Sequence, residues 1–212
     1  MTAASVAVLA SGGGTNLQSL IDAAAAARTY RVTRVVSNRP DAGAIDRARR
    51  AGIAATVVRN PNDPGELLAA IGDVELTVLA GYLKLVPGAV VARFRWRMIN
   101  IHPALLPAFG GTGMYGLRVH AAVLASGATV TGATVHYVDE AFDRGPVIAQ
   151  WPVPVRPGDT PDALAGRVLA VEHRLLPAVA GELARRGFPP GVRLHPGGTG
   201  FAAGDTPQLD LR

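Results

Sequence analysis

The chain has 212 residues, 49% of them hydrophobic, with a mean hydropathy of +0.23, which suits one substantial α/β domain and argues against disorder. No apolar run is long enough for a membrane span, no leader pattern opens the chain, and zero cysteines exclude disulfides, thiolate metal sites and a cysteine nucleophile, so a cytoplasmic enzyme is expected. The net charge of +5 comes from scattered arginines, with Lys84 the only lysine and no basic run longer than Arg49-Arg50 or Arg185-Arg186; this reads as composition rather than a nucleic-acid surface, while an attraction for phosphorylated small substrates remains reasonable.

Val6–Ala10 predicts a strand that breaks into Ser11-Gly12-Gly13-Gly14-Thr15-Asn16, with a helix from Leu17 to Ala27. Val32–Ser37 predicts a second strand, and a helix pattern from Ala42 to Ala51 stops at Gly52. Ala54–Val58 is a short strand, Pro61 to Pro64 a turn, and a brief helix ends near Gly72. Leu76–Ala80 predicts a buried strand closed by Gly81, followed by a helix at Gly88–Phe94 and a strand at Arg97–Ile101. A glycine-rich loop from Ala108 to Gly116 precedes a helix at Leu117–Ala125. Thr129–Val138 and Pro146–Val155 alternate like an antiparallel extension. Thr160-Pro161 opens a last helix to about Arg186, with Pro177 a place for a kink or break. Alternating strands and helices predict a Rossmann-like, mostly parallel sheet with helices on both faces, one domain over residues 1–187 and a tail over 188–212 without a predicted element.

Asn100-Ile101-His102-Pro103 carries the strongest chemistry. Residues two apart on a strand share a face, so the strand end presents an amide donor and a titratable ring to one small volume. That pair suits negative charge building on a carbonyl oxygen. The carboxyl ends of strands in such sheets are also where ligands bind.

The loop Ser11–Asn16 fits an anion site of backbone N–H groups at a helix start; a plain tight turn is the alternative. It lacks the Gly-Lys-Ser/Thr ending of a Walker loop and the glycine spacing of a dinucleotide fingerprint. His120, His136, His173 and His195 are not spaced as a metal site and read as structural or solvent-facing, with His136 near the Asn–His pair in this topology. The turn Asp139–Pro146 is either a solvated hairpin or the source of a carboxylate that orients His102. Glu172, among Val168, Leu169, Val171, Leu175 and Leu176, would ordinarily lie on a solvent face; a functional version would accept hydrogen bonds from a substrate amine.

From Val6 to about Gly187 these segments, in order, resemble the folate-dependent formyltransferases, and within them the phosphoribosylglycinamide formyltransferase family. The segments are Ser-Gly-Gly-Gly-Thr-Asn, Val35-Val36-Ser37-Asn38, Leu79-Ala80-Gly81-Tyr82-Leu83-Lys84, Asn-Ile-His-Pro-Ala-Leu-Leu-Pro, Val135-His136-Tyr137-Val138, Asp143 with Gly145-Pro146-Val147-Ile148, and Glu172-His173. The resemblance implies the formyltransferase fold and transfer of a formyl group from the cosubstrate 10-formyltetrahydrofolate to the amine of glycinamide ribonucleotide, with no metal, no nucleic acid and no membrane, and a homodimer left open.

By motif position it implies that Asn100 and His102 stabilise the oxyanion and that Asp143 charges His102 and relays a proton. Ribonucleotide contacts would come from Gly12, Gly13, Gly14, Thr15, Asn16, Gly81, Ile101, Pro103 and Glu172. Folate contacts would come from Leu83, Lys84, Leu85, Val86, Met98, Ile99, Val138, Asp139, Glu140, Ala141 and Phe142. Lys84 stands where an arginine is common, keeping the charge without the planar fork. Asn60–Asp73 is short and lacks an arginine for the folate's glutamate tail, and Arg144 adjoins the catalytic acid, where it either pairs with Asp143 or faces solvent. Related formyltransferases acting on transfer RNA carry a further C-terminal domain, for which residues 187–212 are too few, and the deformylases usually carry an N-terminal one.

Overall fold

The structure is a computed structural model that describes residues 2–195. Strand β1 (Ala4–Leu9) leads into α1 (Thr15–Ala27), β2 (Tyr30–Ser37) into α2 (Gly43–Arg50), β3 (Ala54–Val57) into α3 (Pro64–Ile71), and β4 (Leu76–Leu79) into α4 (Gly88–Arg93). Then come β5 (Met98–His102), α5 (Leu117–Ala125), the pair β6 (Val130–Tyr137) and β7 (Val147–Pro154), and α6 (Pro161–Arg185). The seven strands form one sheet in the order β3-β2-β1-β4-β5-β6-β7. The pairs from β3 to β5 are parallel, and β5–β6 and β6–β7 are antiparallel, as the alternating pattern predicts.

The period of two along β1 sends Val6 and Val8 into one core and Ala7 and Leu9 into another. Helices α1, α2, α5 and α6 cover the first face, and α3 and α4 cover the second. The chain leaves β1 toward one face and β4 toward the other. Because β1 and β4 are neighbours, a crevice opens between their carboxyl ends, the switch point at which such sheets bind ligands.

Two differences from the expected elements have simple causes. Helix α1 starts at Thr15 rather than Leu17, because Gly14 takes the left-handed conformation (φ 74°) and turns the chain early. Helix α6 runs through Pro177 as one element, capped by Thr160 Oγ1, which accepts from the Ala163 N–H at 3.2 Å. A helical proline costs about 3 kcal/mol, but burial of Leu175, Leu176 and Val179 around it returns roughly 1.5–3 kcal/mol per side chain.

After α6 no regular element forms among the described residues. Val192 and Leu194 are buried, and the Leu194 N–H donates to the Ile148 carbonyl at 2.7 Å, covering part of the β7 edge. The rest of the expected tail, from residue 196, lies outside the described residues.

Candidate active site

Asn100 and His102 leave the end of β5 on one face, and the antiparallel register sets His136 of β6 directly opposite Asn100. His136 Nδ1 lies 2.8 Å from the Tyr137 carbonyl, which can only accept, so this nitrogen carries the proton. Nε2 lies 3.0 Å from the Asn100 amide nitrogen and 3.5 Å from Asp143 Oδ1, able to accept from the first when the ring is neutral and to donate to the second when it is charged. Asp143 completes the group, with Oδ2 3.4 Å from His102 Nδ1 and Oδ1 3.4 Å from the Asn100 amide nitrogen. The Gly111 N–H donates to Asp143 Oδ2 at 2.9 Å, and His102 Nε2 donates to the Phe109 carbonyl at 2.8 Å.

Local backbone geometry delivers Asp143 to this position. The residue has φ 57°, a left-handed conformation that aspartate tolerates better than most residues. Gly145 passes so close to β6 that a Cβ there would sit 1.8 Å from the Tyr137 carbonyl oxygen. Of the two readings of the acidic turn, the inward one holds: the Asp143 side chain is 10% exposed. Arg144 is exposed and forms no ion pair with Asp143.

The turn that follows His102 is fixed from beneath by Thr134. Its hydroxyl donates to the Ala104 carbonyl at 2.6 Å and accepts from the Leu106 N–H at 3.1 Å. The Gln150 amide adds bonds to the Leu106 carbonyl and to the same hydroxyl.

Burial pushes the His102 ring below the usual histidine range, against the pull of the Asp143 charge and the Phe109 carbonyl. Both ring nitrogens face acceptors, an arrangement that only the imidazolium satisfies on both sides. The ring is therefore neutral-leaning at rest but wired to take a proton when further negative charge arrives. For Asp143, burial acts upward, yet His136, the His102 charge and the Gly111 N–H hold its carboxyl below the ordinary value.

The group lies in the wall of a cavity of about 710 Å³, within the usual range for small-molecule sites. On the side of the first helical layer the lining includes Asn16 and Glu172. Glu172 is buried, not solvent-facing, and its carboxylate accepts from the Asn16 amide at 2.7 Å. Burial pushes the Glu172 carboxyl up to about 7, with the Asn16 bond opposing. Gly81, Ile101 and Pro103 also line the cavity, as do Leu83, Lys84, Leu85, Val86, Val138, Asp139, Ala141 and Phe142. Leu83 and Leu85 are half exposed at the mouth, an apolar rim suited to a flat ring.

Some expected residues lie elsewhere. Met98 and Ile99 do not line the cavity; β5 is covered on both faces, and their side chains fill the two cores. Glu140 turns away, its carboxylate near Gly88 beside a separate small pocket. Gly12, Gly13, Gly14 and Thr15 form a rim outside the lining, with Gly12, Gly13 and Thr15 exposed and no side-chain cap on the α1 N–H groups. Two contacts hold that rim. Arg47 Nε donates to the Gly13 carbonyl at 2.8 Å, and Ser11 Oγ donates to Asn38 Oδ1 at 2.6 Å while accepting from the Leu83 N–H at 2.9 Å. Ser11 thereby ties together the loops after β1, β2 and β4.

His136 and the backbone of Phe109 and Gly111 belong to the site, although residue type and spacing assign them no role. The signal for His136 is the alternation of Thr134 and His136 with apolar Ala133 and Val135; the register that aims it at Asn100 is not written in that pattern.

The sequence profile of the formyl transferase family matches residues 4–180. Among curated proteins, the chloroplastic phosphoribosylglycinamide formyltransferase of Arabidopsis thaliana is 44% identical over 188 residues, covering 84% of this chain and 64% of that protein. The phosphoribosylglycinamide formyltransferase of Escherichia coli K12 is 38% identical, covering 82% of this chain and 84% of the other. The chain thus spans less than two thirds of the plant relative's length but most of the bacterial one. A crystal structure of glycinamide ribonucleotide transformylase 1 from Symbiobacterium toebii aligns with a TM-score of 0.78 at 41% identity, over 87% of this chain and 89% of that one. With this profile match, these identities and this architecture, the chain belongs to the formyl transferase family.

Proposed function

We propose that this chain transfers the formyl group of 10-formyltetrahydrofolate to the amine of glycinamide ribonucleotide, by direct attack of the amine through a tetrahedral oxyanion. The observation that carries the reading is the meeting of Asn100, His102 and Asp143 in one cavity wall, between a polar side with Asn16 and Glu172 and an apolar rim at Leu83–Val86. The amine and the folate ring would approach from these two sides. The names of the relatives support the formyl acceptor, and membership of the formyl transferase family supports a folate-derived donor.

The chemistry follows from the groups present. The amine nitrogen bonds to the formyl carbon, the carbonyl electrons move onto oxygen, and the bond from carbon to folate N10 then breaks. Across the reaction the amine nitrogen gives up one proton and N10 gains one. The Asn100 amide nitrogen carries two N–H groups, one beside His136 Nε2 at 3.0 Å and one on Asp143 Oδ1 at a longer 3.4 Å, and the longer bond is the one to be exchanged for the oxyanion. His102 gains proton affinity as that charge forms, and the Asp143 carboxylate stabilises its imidazolium and carries the proton from amine toward N10. Glu172 accepts from the incoming amine. The glycine rim, with its free α1 N–H groups and the adjacent Arg47, suits the ribonucleotide phosphate.

The test is formyl transfer by the purified chain with both substrates, beside His102→Ala and Asp143→Asn. Each variant should lose roughly 10²–10⁴-fold in kcat while remaining folded by circular dichroism. Wild-type-like turnover in either variant would sink the mechanism. Absence of product from the wild-type chain, where the E. coli relative is active, would sink the function.

A further inference from the structure

The cavity wall holds a third histidine that the chemistry above leaves unused. His120 lies in the first half of α5, only 4% exposed, between buried Val119 and Val123, and it lines the cavity. His102 and His136 each have both ring nitrogens beside protein partners. His120 has none: its Nδ1 is buried without a hydrogen-bond partner, and neither ring nitrogen is bonded among the described residues. A neutral imidazole offers one donor and one acceptor, and folded proteins rarely leave such groups unmet.

Position separates this case from other orphaned polar atoms. Thr77 Oγ1 and Trp151 Nε1 also lack partners, but their side chains do not reach the cavity. Asn16 Oδ1 does belong to a cavity residue and is likewise unpartnered. Asn16 on α1, His120 on α5 and Glu172 on α6 come from the one helical layer that covers the first face, and α5 packs against α6. The apolar rim Leu83–Val86 follows β4, on the way to the opposite layer. The Tyr82 hydroxyl, also unpartnered on a cavity residue, lies on that opposite side, so two of these three orphaned cavity groups, Asn16 Oδ1 and His120 Nδ1, face the amine-bearing substrate's side.

We propose that His120 is a binding and specificity residue for the amine-bearing ribonucleotide, its ring hydrogen-bonding a hydroxyl or amide of the sugar–glycinamide portion; this rests on the substrate reading above. A residue that merely fills the core would tolerate an apolar ring of similar size. A ligand contact would not, because the substrate's polar group would then be buried against carbon.

The experiment measures glycinamide ribonucleotide binding to the full chain by calorimetry, and KM for each substrate, in the wild type, His120→Phe and His120→Asn. Binding and KM for the ribonucleotide should weaken roughly tenfold or more in H120F. H120N should recover part of the loss, and KM for 10-formyltetrahydrofolate should move less than twofold. Unchanged ribonucleotide affinity in folded H120F, or equal losses for both substrates, overturns the proposal. If H120F does not fold, the ring signals of wild-type His120 in ¹⁵N-histidine spectra decide: a shift on adding the ribonucleotide supports the contact, and none refutes it. Wild-type protein that binds the ribonucleotide without formyl transfer would overturn the activity while leaving the contact standing.

Discussion

Glu172→Gln isolates the consequence of burying one carboxyl in the cavity wall. Glu172 is 6% exposed and keeps a single hydrogen bond, from the Asn16 amide at 2.7 Å. Loss of hydration outweighs that bond and raises its pKa from 4.5 to about 7. The folded chain thus holds the proton more tightly than the unfolded chain. The stability this contributes is complete below pH 4.5 and is lost as pH rises through about 7. At about 1.36 kcal/mol per pH unit, that amounts to about 3 kcal/mol, most of it lost between pH 5 and pH 8. The substituted glutamine cannot ionise, and its carbonyl can still accept from Asn16. Urea unfolding of wild type and E172Q from pH 5 to pH 8 should show the variant gaining about 2–3 kcal/mol relative to wild type across that range. For a domain of this size the matching melting-temperature change is roughly 5–10 °C. Parallel stability curves for the two proteins would refute the reasoning, because the carboxyl would then be no harder to ionise folded than unfolded. Activity should move the opposite way, with formyl transfer falling in E172Q even where stability rises, since with the glutamine carbonyl on Asn16 the second carboxylate acceptor is replaced by an NH2 donor facing the substrate amine.

Two further changes probe the supports of the site. Gly14→Ala forces a side chain onto φ 74° and sets its Cβ 2.7 Å from Ala44 Cα; a loss of about 2 kcal/mol or more in urea unfolding is expected, with a raised KM for the ribonucleotide and little change for the folate. Thr134→Val removes the hydroxyl that joins the Ala104 carbonyl to the Leu106 N–H, leaving both buried groups without it. A cost of about 2–4 kcal/mol should appear in unfolding, together with a lowered kcat, because the turn that carries His102 loses its underside. A kcat equal to wild type would show that the turn holds its shape without Thr134.

Period and punctuation in the sequence were enough for the architecture. Alternation at Val6–Leu9, glycine at the ends of β1 and β4, and proline after Thr160 each express a local rule, so the elements and the mostly parallel order could be read directly. The Asn100–His102 pair was legible for the same reason, since a strand's period of two is local. Arg144 was open in the sequence, where a charged neighbour either pairs with Asp143 or faces solvent; the fold turns it outward and gives Asp143 to two histidines.

What tertiary structure alone decided lies between elements distant in the chain. The antiparallel register of β6 brings His136 to Asn100. The packing of α6 against α1 buries Glu172 beside Asn16 and raises its pKa. The two covered faces of the sheet turn Met98 and Ile99 into core residues, while α5 brings His120 to the cavity without a partner. Burial and charge environment are sums over neighbours far apart in sequence. The amino-acid order therefore determined which chemical groups the protein owns and on which element each sits, and the fold determined which of them meet, which lose water, and which are left waiting for a partner.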